Sequence, residues 1–231
     1  MVAENVKHIR ERIALACQRS TRRPEDVTLI AVSKSFGIHD IREATAAGVT
    51  DIGENYVQEL RQKYEKLEEE SIRWHFIGHL QSNKVKYIAP WINCIHAVDS
   101  ERLGREISKQ AQKSSRNIDI FIEVNTTGER SKFGVYLESC RQLIDNLKGL
   151  PAIRVAGLMT IGPFFSDPEK SRPAYKMLRN LREDLNNAGV QISHLSMGMS
   201  ADFEIAIEEG ATMIRIGTGI FGQRTSKNMN R

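Results

Sequence analysis

The chain has 231 residues, 40% hydrophobic and 27% charged, the composition of a soluble globular protein long enough to bury a substantial core. Its net charge of +4 comes from Lys and Arg interleaved with Asp and Glu, so no basic stripe suggests nucleic acid, and the tail around Arg224, Lys227 and Arg231 reads as a solvated terminus. The start, MVAENVKHIRERI, lacks a signal-peptide core and no stretch approaches a membrane span, so the expected compartment is the cytoplasm, with no membrane partner. Cys17, Cys94 and Cys140 are scattered, with no CxxC pair and no His/Cys cluster at ligand spacing. Neither a disulfide framework nor a metal site is predicted, and each cysteine is expected as a small apolar side chain on a helix or strand.

Val6, Ile9, Ile13, Ala16 and Cys17 recur at three- and four-residue spacing, which predicts an amphipathic helix ending before Arg22–Arg23–Pro24. A repeated grammar then begins, in which a short apolar run is followed by a polar turn and a helical stretch. The runs are TLIAVSK (28–34), DIGENY (51–56), RWHFIGH (73–79), CIHAVDS (94–100), DIFIEVNT (119–126), RVAGLMTIG (154–162), HLSMGMS (194–200) and MIRIGTG (213–219). Between them lie helix-like stretches such as HDIREATAAG, ENYVQELRQKYEKLEEE, SERLGREISKQAQKSS, LESCRQLIDNLKGL and EKSRPAYKMLRNLREDLNNAG. Gly48, Gly149, Gly189 and Gly210 stand where left-handed caps are expected.

Near-continuous apolar strands alternating with amphipathic helices mean parallel strands buried on both faces. Eight such units predict an α/β fold, a single (β/α)8 TIM-type barrel with an extra N-terminal helix packed outside it, and residues 1–231 as one domain. A doubly wound open sheet is the runner-up, although VSKSFG after the first strand is not the GxGxxG turn a dinucleotide fold requires. The longest candidate loop, 162–173, is read as an ordinary connection, with a lid as the alternative.

In such a barrel the reactive groups gather at the carboxyl ends of the strands. Those ends hold Lys34, Asn55, His79, Asp99, Asn125, Met159–Thr160, Ser200 and Arg215 with Gly217–Thr218–Gly219, a polar set that stability alone does not require. Lys34 closes the run LIAVS, where burial would disfavour the ammonium and free the amine for imine formation. The alternative is a lysine that snorkels to solvent, and position alone does not decide between the two. The last strand places an inward-facing Arg215 two residues before a Gly-Thr-Gly turn, in the loop region that commonly binds phosphate in these barrels. Ser200 stands just before SADFEIAIEEG, a predicted helix start with Ser200 or Ala201–Asp202 at its amino end, and Ser200 would serve as a helix cap, a phosphate ligand or both. Taken alone, Gly217 and Gly219 read as close packing at barrel closure; beside Lys34 they point to phosphate.

AVSKSFG, DIGENYVQE, WHFIGHLQSNK, GLMTIGP and LSMGMSADFEIAIEEGATMIRIGTGIFG, in this order and spacing, resemble the pyridoxal phosphate homeostasis proteins, over nearly the whole chain. These look like the amino-terminal barrel of alanine racemase without its carboxy-terminal β domain. The resemblance implies pyridoxal 5′-phosphate (PLP) as cofactor, Lys34 as the Schiff-base lysine and Arg215 facing the pyridine nitrogen. It also implies Ser200, Gly217 and Thr218 at the phosphate, with Asn55, His79 and Met159 lining the ring. An arginine donates to the pyridine nitrogen and cannot protonate it, so the ring becomes a weaker electron sink.

A PLP carrier acting in homeostasis and delivery is therefore the expected function, and a PLP-dependent racemase-type enzyme is the alternative. Racemisation needs an acid/base on each face of the ring, and the chain ends at Arg231, eight residues after the IFGQ segment, with no room for the domain that supplies the second one in racemases. Tyr56 and His79 are candidate substitutes, with structural or ring-lining roles the preferred reading. The expected partners are PLP and apo PLP-dependent enzymes, and the expected state is a monomer. Whether 125–134, with Lys132 and Gly134, or 162–173 gates the site is left open.

Overall fold

The apolar runs become strands because Val, Ile, Leu and Phe dominate them and suit a pleated surface buried on both faces. In the computed structural model these are β1 Thr28–Val32, β2 Asp51–Glu54, β3 Arg73–Phe76, β4 Cys94–Val98, β5 Ile118–Glu123, β6 Ile153–Met159, β7 His194–Ser196 and β8 Met213–Ile216. The structure describes residues 1–223 except 130, 131, 164 and 166; the basic tail Arg224, Lys227 and Arg231 lies outside the described residues. The strands pair in parallel in chain order, and β8 returns to β1 with Ile30 opposite Arg215, so the sheet closes into a barrel rather than the open doubly wound alternative.

Among the described residues, seven helices follow the strands or precede them on the outside: α1 Val2–Arg19, α2 Ile38–Ala46, α3 Val57–Leu67, α4 Glu101–Lys113, α5 Leu137–Leu147, α6 Arg172–Asn187 and α7 Phe203–Glu208. A one-turn helix, α8 Thr218–Phe221, follows β8. Between β3 and β4 the crossover is reduced to a 3₁₀ turn, Ser82–Tyr87. Gly48, Gly149, Gly189 and Gly210 all take left-handed φ, as anticipated from their places after helices. No described helix is long and apolar enough to cross a membrane.

Strands begin within a residue of the sequence runs but end several residues before them. The polar residues that close each run leave the ladder and turn at the barrel mouth. After β1, for example, the Phe36 N–H donates to the Ser33 carbonyl at 2.9 Å, closing a turn around Lys34.

α1 lies over the meeting of the first and last elements. It buries Val6, Ile9 and Ile13, Asn5 Nδ2 donates to the Ile220 carbonyl at 2.8 Å, and Arg12 pairs with Glu204 at 2.6 Å. A large apolar core lies between strands and helices. A second cluster of Cys94, Ala97, Phe121, Ala156 and Met159 shares its surroundings with buried polar Asp51, His75, His96, Ser196 and Arg215. The three cysteines are buried and free, on α1, β4 and α5.

Candidate functional site

Six of the residues singled out from the sequence, Lys34, Asn55, Ser200, Arg215, Gly217 and Thr218, line one cavity of about 320 Å³ at the carboxyl ends of the strands. Ile161, Phe165 and Met199 add apolar walls. A somewhat larger cavity, about 380 Å³, lies at the opposite end of the barrel beside Arg10, Asp51 and Arg73. It collects none of the strand-end groups, so chemistry rather than size marks the first as the site.

The turn that carries Lys34 is held from behind by charge. Ser35 adopts φ of 68°, which a non-glycine residue keeps only where its surroundings enforce it. Here the Ser35 N–H donates to Glu59 Oε1 at 2.7 Å, and Lys63 Nζ donates to the Ser33 carbonyl at 2.7 Å. Lys63 also donates to Glu54 Oε1 and Glu59 Oε1, and Ser33 Oγ donates to the same Glu54 oxygen. Burial raises the Glu54 carboxyl above its usual range, with the charge of Lys63 acting against that rise. The buried Glu54–Lys63 pair between β2 and α3 therefore holds the Ser33 flank of Lys34, and Glu59 of α3 holds the Ser35 flank.

Asn55 follows β2, and its Oδ1 is buried with no hydrogen-bond partner among the described residues. Gly78 allows this placement, since a Cβ there would stand 2.5 Å from the Asn55 carbonyl. A buried acceptor left unpaired is costly. Its presence on the wall shared with Lys34 and Arg215 fits a ligand or Schiff-base donor in the cavity.

Arg215, on β8, is 5% exposed. It donates through Nη1 to Ser196 Oγ at 2.6 Å and through Nη2 to the Thr160 carbonyl at 2.8 Å. Burial lowers its pKa, and Tyr175, Glu123 and Asp202 act on it through space. Ser200 does not cap α7. Asp202 precedes that helix and accepts from the Met199 N–H at 2.8 Å, while Ser200 Oγ accepts from the Gly219 N–H at 3.2 Å. The Ser200 hydroxyl thus ties the loop after β7 to the Gly217–Gly219 turn after β8, the two loops expected to hold a phosphate.

Two further residues from the sequence reading stand apart from the cavity lining. His79 is at the rim, its side chain 41% exposed, 3.8 Å from Asp99 Oδ2 and stacked on Phe133 at 4.1 Å. Met159 is fully buried in the inner cluster with Phe121. Sequence reasoning missed Glu123 and the inner polar residues of β2, β3, β4 and β7, whereas Asp202 was one of the candidates for the amino end of α7. His75 and His96 were legible as polar interruptions in WHF and IHA, although their partners are set by tertiary structure. His75, His96 and Cys94 bring potential ligand atoms within 4.8 Å of one another, a grouping that sequence spacing did not reveal. All four ring nitrogens of the two histidines are already engaged in hydrogen bonds.

A closed parallel barrel with a lysine after β1 and an arginine on β8 at one mouth belongs to the class of alanine racemase amino-terminal barrels, and the alanine racemase N-terminal domain model matches residues 5–225. An alanine racemase from Clostridium difficile 630 shares this fold at TM-score 0.75 and 16% identity, covering 97% of this chain and 58% of that one. Within the class, a pyridoxal phosphate homeostasis protein of Aquifex aeolicus is 46% identical over 222 residues, 96% of this chain and 97% of that protein. The structure of PipY from Synechococcus elongatus PCC7942 with PLP bound superposes at TM-score 0.82 with 33% identity, covering 96% of this chain and 100% of that one. The chain belongs to the pyridoxal phosphate homeostasis protein family.

Proposed function

We propose that this protein holds PLP as a Schiff base on Lys34 and acts in intracellular PLP homeostasis and delivery. Arg215 donates to the pyridine nitrogen, and Ser200, Gly217 and Thr218 surround the phosphate. Asn55 accepts a hydrogen bond through its otherwise unpaired Oδ1. Met159, packed in the barrel interior, and His79, at the rim, shape the surroundings of the ring. The observation that carries this reading is the convergence of Lys34, the orphan acceptor of Asn55 and the buried guanidinium of Arg215 on one cavity. When bound, PLP supplies an aldehyde that condenses with amines and a ring that withdraws electrons. Arg215 limits that withdrawal because it donates without giving up its proton.

The carrier reading is preferred to a racemase-type enzyme. Racemisation needs an acid/base group on each face of the ring, and neither Tyr56, 64% exposed, nor His79, stacked on Phe133, lines the cavity. We further propose that the chain works as one PLP-binding domain and a monomer in the cytoplasm, handing PLP to apo PLP-dependent enzymes. The test is visible absorbance of the protein with PLP, wild type beside Lys34→Ala, before and after borohydride. The expected result is a reducible band and a cofactor-mass adduct on Lys34 in wild type alone. A band of equal strength in both proteins, or in neither, would overturn the assignment.

A further inference from the structure

Arg215 is a buried cation with no carboxylate within ion-pair distance among the described residues. Glu123 and Asp202 act on it only through space; a hydrogen-bonded route to a carboxylate is longer. The hydrogen bonds below it run across the barrel interior to one. Arg215 Nη1 contacts Ser196 Oγ at 2.6 Å, Ser196 Oγ contacts His96 Nδ1 at 2.9 Å, His96 Nε2 contacts His75 Nδ1 at 2.9 Å, and His75 Nε2 contacts Asp51 Oδ1 at 2.9 Å. Asp51 lies near the far end of the barrel, where its second oxygen accepts from Arg73 at 2.8 Å and Thr50 at 2.6 Å.

The two ends determine every proton between them. An arginine only donates, so Ser196 Oγ accepts from it and turns its hydroxyl proton to His96 Nδ1. His96 then carries its proton on Nε2 and donates to His75 Nδ1. His75 in turn carries its proton on Nε2 and donates to the Asp51 carboxylate. The reverse order would require a doubly protonated His75 and a protonated Nδ1 on His96. That arrangement leaves the Ser196 hydroxyl proton with no acceptor among the described residues. Burial drives His96 toward its neutral form, and the nearby His75 and Arg215 push in the same direction. Burial opposes the ionised form of Asp51, but hydrogen bonds from His75, Arg73 and Thr50 outweigh it and hold the carboxyl at about 2. Stacking on Phe121, with ring centroids 4.5 Å apart, holds the His96 plane.

We infer that Asp51, His75, His96 and Ser196 form a one-way hydrogen-bonded chain through the barrel that aims the Arg215 guanidinium at the cavity. They are positioning residues, and their effect on the cofactor rests on the PLP reading above. The chain is a series of aligned dipoles between a fixed cation and a fixed anion, an arrangement in which each bond strengthens the next.

The first test is nitrogen-15 NMR of histidine-labelled apoprotein near neutral pH. His75 and His96 should both be neutral and protonated on Nε2; a cationic ring or an Nδ1–H tautomer at either position would overturn the chain. The second test is PLP titration of Ser196→Ala and Asp51→Asn, with folding checked by circular dichroism. PLP affinity should fall about tenfold, equivalent to ~1.4 kcal/mol, and the absorption maximum of bound PLP should move, a response that simple loosening of the fold would not produce. Unchanged affinity and spectrum in folded Ser196→Ala would overturn the inference, and this variant decides the matter if Asp51→Asn does not fold. If wild type forms no adduct on Lys34, the functional reading fails instead, and the histidine spectrum still decides whether the chain exists.

Discussion

Glu123 shows what one buried group can do at the mouth of such a barrel. It ends β5 with 4% exposure, and its carboxyl makes no hydrogen bond or ion pair among the described residues. Burial raises its pKa from 4.5 to about 7; the charge of Asp99 adds to the rise and that of Arg215 opposes it. The folded protein therefore holds this proton where the unfolded chain has released it. Its stabilising effect is complete below about 4.5 and is lost as pH rises to about 7. Glu123→Gln keeps the shape and removes the titration, so it should stabilise the protein above that range by about 3 kcal/mol relative to wild type and change little in acid. Urea unfolding of both proteins at the two pH extremes measures this, and parallel pH profiles would mean that Glu123 is ionised in the fold. The run DIFIEVNT was legible as a strand, but neither the inward place of Glu123 nor the approach of Asp99 from beyond β4 was.

At the scale of elements, the turn after β1 depends on α3. Lys63 serves Glu54, Glu59 and the Ser33 carbonyl at once, and it is 5% exposed. Removing one partner of a buried ion pair leaves an uncompensated charge, at a typical cost of about 3–5 kcal/mol. Lys63→Met should therefore destabilise the protein by about that amount in denaturant unfolding. Adding Glu54→Gln should recover a large part of the loss, because the stranded charge is then gone. A double variant no more stable than the single one would mean that the loss comes from packing rather than charge. The sequence placed Lys63 in a helix-like stretch and Glu54 within the DIGENY run. It carried no sign that the two meet behind Lys34, because the contact depends on how β2 and α3 fold back on β1.

At the scale of the whole molecule, α1, the first described element, is joined to α8 after the last strand. Ile9 is buried against the final turn, its Cδ1 3.2 Å from where a Cβ on Gly219 would stand. Ile9→Ala should cost about 3 kcal/mol through the cavity it leaves. For a chain of this size that corresponds to a fall in Tm of roughly 6–12 °C in calorimetry. The Gly219 N–H also donates to Ser200, so the same variant should weaken PLP retention. A fall in Tm with unchanged retention would separate barrel closure from the phosphate site.

The sequence by itself determined the eight strands, their order, the helix in front of them and six of the residues that line the cavity, because apolar runs and strand-end position are local properties of the chain. It also read the Gly217–Gly219 turn beside Lys34 as a phosphate site, since both stand at strand ends on one mouth of the barrel. Tertiary structure decided that Ser200 binds Gly219 instead of capping α7, that His79 turns to the rim and Met159 to the interior, and that five polar residues from β2, β3, β4, β7 and β8 form one chain. The physical reason is that hydrogen-bond partners and burial arise between strands far apart in sequence, and barrel closure brings those strands together.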